Sequence, residues 1–269
     1  MSGALYLEHL SDGDLALLAG LLEGGSIEER RATLRREPDR ILGVLREPSL
    51  YATLFRAGAG EVFLHASPFL AFATLVHRAA RDLEHAGFVQ EWIGPRQRVP
   101  VFDVAGLRDF AADPLRRLFL AELLASYTRV SSGSILFRTA RGWRRRRFSE
   151  LDPMRLLELL ELAPPIERPG IHRRLGDLAL FLTGVFPDHA GGGQLRLGAG
   201  AEAPLALLER LGKNAYRSAW QATGSQGKGT ARVLEDLASD GFGRARRILN
   251  FLTDRYLFPL RDHWFPTAA

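Results

Sequence analysis

The chain of 269 residues contains no cysteine. Disulfides, thiolate zinc sites, iron–sulfur clusters and cysteine nucleophiles are therefore excluded. No apolar run approaches the roughly 18 to 20 residues that a transmembrane helix requires. The N-terminal segment MSGALYLEHLSDGD also lacks the basic region and apolar core of a signal peptide. Together these absences predict a soluble, cytoplasmic protein without a transmembrane segment.

Lysine is almost as scarce, because only Lys213 and Lys228 accompany 34 arginines. Arginine, alanine, leucine and glycine are all abundant, as GC-rich coding would produce. The net charge of +5 is therefore weak evidence for an anionic partner. Hydrophobic residues make up 46% of the chain and charged residues 25%, which is an ordinary balance for a globular protein.

Recognisable catalytic motifs are missing as well. The chain has no Gly-x-Ser-x-Gly, His-Glu-x-x-His or Gly-x-Gly-x-x-Gly sequence. The segment GSQGKGT at 224–230 lacks the spacing of a P-loop, which requires a glycine, four residues and then Gly-Lys-Ser/Thr after a strand. The sequence therefore favours a non-enzymatic protein with no cofactor and no metal.

The positive charge that is present is concentrated in one stretch. Residues 114–149 hold nine arginines and a single acid, Glu122, which gives this segment a charge of +8. The rest of the chain holds 27 basic and 30 acidic groups, a balance of −3. A local patch of one sign focuses an electric field that attracts an oppositely charged partner, and dispersed charge does not.

Most of the chain has the pattern of α-helix. Ser26-Ile-Glu-Glu29 is a capping box, Ser67-Pro68 opens a helix to about Gly87, and Pro114 opens another to about 129. Residues 88–102 contain two prolines and no helical period, so we expect an extended loop there, with room for one short strand. The prediction is a mostly α, multi-helix globular bundle, a single helical domain over 1–269 with an N-terminal helical subregion at 1–60.

One β-hairpin is predicted at about 134–148, a range that overlaps the segment RTARGWRRRRFSE at 138–150. A two-residue turn at Arg141-Gly142 would place Arg138 opposite Arg145, and a three-residue turn would place it opposite Arg144. Either register sets like charges face to face, which is unfavourable. Guanidinium groups bind phosphate bidentately and tryptophan stacks on bases, so this hairpin predicts an interface for DNA or RNA. The predicted anion-binding residues are Arg138, Arg141, Trp143, Arg144, Arg145, Arg146 and Arg147.

Four segments resemble an uncharacterised family of actinobacterial proteins. They are PRQRVPVFD (95–103), RRRRFSELDP (144–153), RRLGDLALFLTGVFPDH (173–189) and ILNFLTDRYLFPLRDHWF (248–265). The resemblance covers roughly residues 61–189 and the C-terminal 25. It implies a bacterial, cytoplasmic setting and carries no assigned activity.

Several alternative readings remain open at this stage. The order helix, helix, hairpin over 103–148 is that of a winged helix, although the second helix has little polar surface. Asp82 and His85 lie on one helical face and could bind a metal, but no second pair supports them. Asp177 is expected to be a buried acid paired with an arginine. The patch could instead bind an acidic protein, as a scaffold does. A third alternative is a helical enzyme or small-ligand sensor with a pocket among the helices at 68–87, 114–129 and 170–186.

Overall fold

The computed structural model describes residues 2–55, 62–94, 97–129, 132–139, 142–188, 204–223, 229–258 and 264–265. The protein is mostly helical, as the sequence predicts. The helices are α1 (Ser2–Leu7), α2 (Asp12–Gly20), α3 (Ile27–Arg36), α4 (Asp39–Arg46), α5 (Pro48–Leu54), α6 (Val62–His65), α7 (Pro68–Leu83), α8 (Val104–Ala112), α9 (Pro114–Ser126), α10 (Pro153–Leu162), α11 (Arg168–Val185), α12 (Pro204–Thr223), α13 (Thr230–Leu237), α14 (Gly241–Leu252) and a π-helical turn (Thr253–Leu257). The strands are β1 (Val89–Gly94), β2 (Gln97–Val101), β3 (Ser132–Thr139) and β4 (Gly142–Ser149).

The helices and strands group into two compact units. Unit 1 consists of Met1–Phe88, Phe102–Thr128 and Phe251–Phe265, and unit 2 of Val89–Val101, Arg129–Asn250 and Pro266–Ala269. Each unit is built from segments distant in sequence. Neither coincides with the subregion at 1–60, and the single-domain organisation stays a prediction.

The helix starts follow from side chains that cap the first turn. Ser26 accepts a hydrogen bond from the amide of Glu29, and the Glu29 carboxylate accepts one from the amide of Ser26. The predicted capping box is therefore confirmed. Ser67 caps α7, which begins at Pro68 as predicted but ends at Leu83, four residues earlier than expected.

The core of unit 1 is built around α7. Its residues 69–76 are all buried, and Phe72 stacks on Phe265 with ring centroids 5.5 Å apart. Trp264 contacts Phe72 edge-on at 5.7 Å. The C-terminal residues Trp264 and Phe265 therefore lie in the core of this unit, where the burial of large rings contributes strongly to stability.

Unit 2 is organised by close contact between α11 and α12. A Cβ atom added at Gly176 would come within 2.6 Å of the Tyr216 ring, so only glycine permits this approach. Asn250 on α14 donates hydrogen bonds to the backbone oxygens of Thr183 (3.1 Å) and Gly184 (2.7 Å) near the end of α11. These contacts satisfy carbonyls that a helix end otherwise leaves unpaired.

Residues 88–102 do not form the extended loop that the prolines suggested. Strands β1 and β2 pair antiparallel as a hairpin, with Pro100 opposite Gln90. Proline is tolerated because each strand of a two-stranded sheet has a free edge. The buried Glu91 on β1 forms ion pairs with Arg246 and, at 2.9 Å, Arg247 of α14, a long-range anchor that local sequence reasoning missed.

Candidate functional site

The predicted hairpin is present as β3 and β4, but its register differs from both predicted registers. Thr139 pairs with Gly142 and Arg138 with Trp143, so residues 140–141 form the connection and Gly142 is the first residue of a strand. Arg138 is therefore opposite neither Arg144 nor Arg145, and the prediction that Arg138 pairs with another arginine is wrong. The predicted turn included Gly142, but Gly142 is the first residue of β4.

This register sorts the hairpin positions onto two faces. Residues that pair directly in an antiparallel sheet share a face, and successive residues of a strand alternate between faces. One face carries positions Arg138, Trp143, Arg145 and Arg147, with Leu136 and Ser134. The other carries Ile135, Phe137 and Phe148 together with Arg144 and Arg146. We call the first the arginine–tryptophan face and the second the mixed face.

Most of the predicted anion-binding residues lie in the hairpin strands. Six of the seven predicted residues lie in the paired strands, whereas Arg141 lies outside the described residues. Arg116 and Arg117, which sequence counting had included in the same patch, belong to α9 in unit 1. Residues 129–149 of unit 2 still hold seven arginines and no acid.

The nearest acids that follow the hairpin are already engaged. The Glu150 carboxylate accepts a hydrogen bond from Arg174 at 3.0 Å. Asp152 caps α10 through the amides of Met154 and Arg155, and it also lies 3.8 Å from the Arg155 guanidinium. Each of these acids therefore interacts with an arginine outside the hairpin.

A winged helix is excluded by the burial of α9. Seven of its thirteen residues are buried, and among the remainder only Ser126 is fully exposed. A recognition helix has to present a polar face to the bases. Helix α9 instead belongs to the core of unit 1, whereas β3 and β4 belong to unit 2.

Asp177 has the paired, structural environment predicted for it. It is 8% exposed, lies 3.8 Å from the Arg173 guanidinium and accepts a hydrogen bond from the Tyr216 hydroxyl at 2.9 Å. Tyr216 comes from α12, a partner that no local pattern identified. Pairing and hydrogen bonding offset the cost of burying the carboxylate.

The Asp82–His85 pair does not form a metal site in this arrangement. Asp82 accepts hydrogen bonds from the Tyr256 hydroxyl and, at 3.1 Å, from Arg255, whereas His85 is exposed beyond the end of α7. Burial and the hydrogen bond to Asp82 raise the pKa of Tyr256 to about 12, so its hydroxyl remains a donor at neutral pH. In the described parts of the chain no three His, Asp or Glu side chains come together as metal ligands.

A second candidate site, which sequence reasoning missed, lies wholly within unit 1. It is a cleft of about 570 Å³ between the α4–α5 junction, α7 and the α8–α9 junction. Its charged lining residues are Arg46, Glu47, His77, Arg81, Glu84, Arg108, Asp109 and Arg117. These residues are scattered from position 46 to 117, and no motif connects them.

Two of the polar residues that line the cleft are buried. Arg117 is 5% exposed and donates through one terminal nitrogen to the backbone oxygens of Ala111 and Ala112 at the end of α8. Its Nε has no hydrogen-bond partner, and no carboxylate among the described residues forms an ion pair with it. The guanidinium therefore contacts backbone oxygens and the Tyr6 hydroxyl. The Asp113 carboxylate favours its charged form without forming an ion pair with it.

His77 is the other buried residue, at 3% exposed. The Tyr6 hydroxyl donates to the Pro114 oxygen at 3.0 Å and lies 3.2 Å from Nε2 of His77. Because Tyr6 has one proton and gives it to Pro114, we assign the imidazole proton to Nε2, which donates to Tyr6. Nδ1 is then an acceptor, and it has no partner.

The electrostatics of the cleft are unfavourable to further positive charge. Burial and the neighbouring Arg117 and Arg46 hold the pKa of His77 well below its usual value, so the ring is neutral at pH 7. Burial also lowers the pKa of Arg117, and Arg46 adds to that effect. The guanidiniums of Arg46 and Arg81 are exposed and have no hydrogen-bond or ion-pair partner in the described chain.

Comparisons with protein-family models, curated proteins and solved structures found no match. The resemblance to an actinobacterial family stays a prediction. Across the described residues, none of the helices has the length and apolar character that crossing a membrane demands.

Proposed function

We propose that this protein binds an anionic partner, nucleic acid first, through the arginine-rich hairpin of β3 and β4. The arginines of the arginine–tryptophan face would neutralise backbone phosphates, and Trp143 would stack on a base. The sequence resemblance and the composition support a bacterial, cytoplasmic setting for this proposed activity. No chemical step is involved, so the role is that of a binding protein.

The observation that carries the proposal is the register. It aligns Arg138, Arg145 and Arg147 with Trp143 on a single face, and it gathers the bulky apolar positions Ile135, Phe137 and Phe148 on the other. A hairpin with this division can apply one face to a partner while the other packs against protein.

The shape of the hairpin suits a duplex as well as a single strand. Each strand has eight residues, which corresponds to about 26 Å of length at roughly 3.3 Å per residue. The major groove of B-DNA admits a two-stranded β-ribbon. A single strand would instead follow the positively charged face and stack its bases on the aromatic ring.

An electrophoretic mobility series tests this proposal. The whole chain is titrated against duplex DNA, single-stranded DNA and RNA at 50 and 200 mM salt. We expect binding that weakens steeply at the higher salt, because each neutralised phosphate releases condensed counterions. Absence of a shifted band for all three nucleic acids at 50 mM salt would overturn the proposal.

An Arg36→Glu/Arg232→Glu variant supplies a control for total charge. Both arginines are exposed, have no partner among the described residues and lie outside the hairpin. The control should retain most of the affinity. An acidic protein surface is the alternative partner of the same face; retention of an acidic protein by the chain, together with no binding to nucleic acid, would favour that alternative.

A further inference from the structure

We propose that the cleft of unit 1 binds a small phosphorylated polyol, with Arg46, Arg81 and Arg117 around its phosphate and the acids of the rim around its hydroxyl groups. This site is separate from the hairpin and does not depend on the proposed nucleic-acid function.

The need for an anion rests on three guanidiniums without a counter-ion. Arg117 is buried and forms no ion pair with a carboxylate, and Arg46 and Arg81 have no partner in the described chain. Arg108 differs, because it donates to the Leu83 and Ala86 oxygens and so serves the end of α7. Three acids line the same cleft but form no ion pair with these arginines, so a bound anion would reduce the repulsion among the guanidiniums.

A phosphate monoester suits these groups better than a carboxylate does. It carries about −1.5 to −2 charges at neutral pH and three acceptor oxygens, whereas a carboxylate carries one charge. Guanidinium groups match phosphate oxygens in a bidentate fashion. Three arginines can therefore be satisfied by one phosphate group.

The rest of the lining calls for hydrogen-bond donors on the ligand. The carboxylates of Glu47, Glu84 and Asp109 line the same cleft, yet none forms an ion pair with its arginines or with any other described residue. Hydroxyl groups would donate to these acceptors, and a ligand made only of phosphate would leave them unsatisfied.

The size of the cleft is consistent with such a ligand. Its volume of about 570 Å³ lies within the range of roughly 300 to 1,000 Å³ typical of small-molecule sites. A hexose phosphate fits this space. The lining residues come from helices of one unit, so the site is preformed by the fold of that unit.

Isothermal titration calorimetry on the whole chain tests the proposal with four probes. Glucose 6-phosphate should bind, whereas glucose, which lacks the phosphate, and inorganic phosphate, which lacks the hydroxyl groups, should bind at least about tenfold more weakly. Gluconate keeps hydroxyl groups but offers a carboxylate, and should also bind more weakly. Equal affinity for phosphate and glucose 6-phosphate would refute the role of the rim acids, and no binding of either would refute the site.

Two single variants locate the site. Arg46→Ala should weaken glucose 6-phosphate binding about tenfold or more by removing a charge-assisted contact. Arg36→Ala is the matched control, because Arg36 occupies the last turn of α3 as Arg46 does that of α4, is exposed and lies outside the cleft. An equal loss in the two variants would show a general charge effect and contradict the assignment.

Discussion

The two arginine clusters of this protein arise in opposite ways. The hairpin cluster in unit 2 comes from consecutive residues, 144–147, and is obvious in the printed sequence. The cleft cluster in unit 1 is assembled from Arg46, Arg81 and Arg117, which are 35 and 36 residues apart and share no motif. Its members come together only because α4, α7 and α9 pack in the same unit.

The two clusters also differ in how the fold positions and buries their arginines. The hairpin arginines lie on a two-stranded ribbon, where the register decides which positions share a face. The cleft contains Arg117, a guanidinium that the core of unit 1 buries. A buried cation without a counter-ion is costly, so its presence points to a ligand more strongly than a run of arginines in a sequence does.

Salt should have a large effect on the hairpin side of this comparison. If three arginines of the arginine–tryptophan face each neutralise a phosphate of duplex DNA, the affinity should fall about 40-fold between 50 and 200 mM salt. Fluorescence anisotropy of a labelled duplex measures this slope. The affinity of the cleft for glucose 6-phosphate should change much less over the same range. Equal dependence of the two affinities on salt concentration would contradict the difference between the clusters.

Replacing Arg117 with methionine tests how the buried arginine of the cleft cluster is held. The substitution removes the hydrogen bonds to the Ala111 and Ala112 oxygens, which should cost about 3 kcal/mol of unfolding free energy. Urea denaturation measures the loss. Arg36→Ala, on the exposed end of α3, should change stability by less than about 0.5 kcal/mol. A similar stability for both variants would mean that Arg117 is not held by these contacts.

Two glycines of α11 test the packing of unit 2 that accompanies the hairpin. Gly176→Ala should destabilise the protein by about 2 kcal/mol, because its Cβ would overlap the Tyr216 ring. Gly170→Ala should instead stabilise it by up to about 1 kcal/mol, since that site is open and helical. Thermal unfolding compares the pair, and equal effects would contradict the close approach of α11 and α12.

The pH dependence of stability tests the environment of His77. Its pKa is lowered in the folded state, so below about pH 6.5 the unfolded chain takes up a proton that the folded chain does not. Stability should therefore fall as the pH drops through that window, by at most about 1.4 kcal/mol per pH unit. Urea titrations at pH 7.5 and 5.5 should show a smaller difference for His77→Gln; an unchanged difference would contradict the buried neutral ring.

Local signals in the sequence predicted much of the fold. The capping box at Ser26 and the start of α7 at Pro68 depend on neighbouring residues, so they were predicted correctly. The hairpin of β1 and β2 was missed because part of its stabilisation is distant: Glu91 pairs with Arg246 and Arg247. No window of the sequence contains both partners.

The two candidate sites also differ in how far local sequence signals predicted them. The hairpin was located from residues 134–148, but its register was wrong because the glycine of the turn was assigned to Gly142. The cleft could not be predicted from the sequence, although the helices α7 and α9 had both been considered for a ligand pocket. Its decisive feature is that the Arg117 guanidinium has no counter-ion among the described residues, and only the fold determines that.

The central claim is that one face of the β3–β4 hairpin binds nucleic acid. Duplex and single-strand affinities of Arg145→Glu/Arg147→Glu and Arg144→Glu/Arg146→Glu test it most directly, because the two variants change the net charge equally and differ only in the face they alter. We predict about a 100-fold loss for the first, since two charge-assisted contacts are reversed, and about a tenfold loss for the second. Equal losses, or a larger loss for Arg144→Glu/Arg146→Glu, would contradict the account.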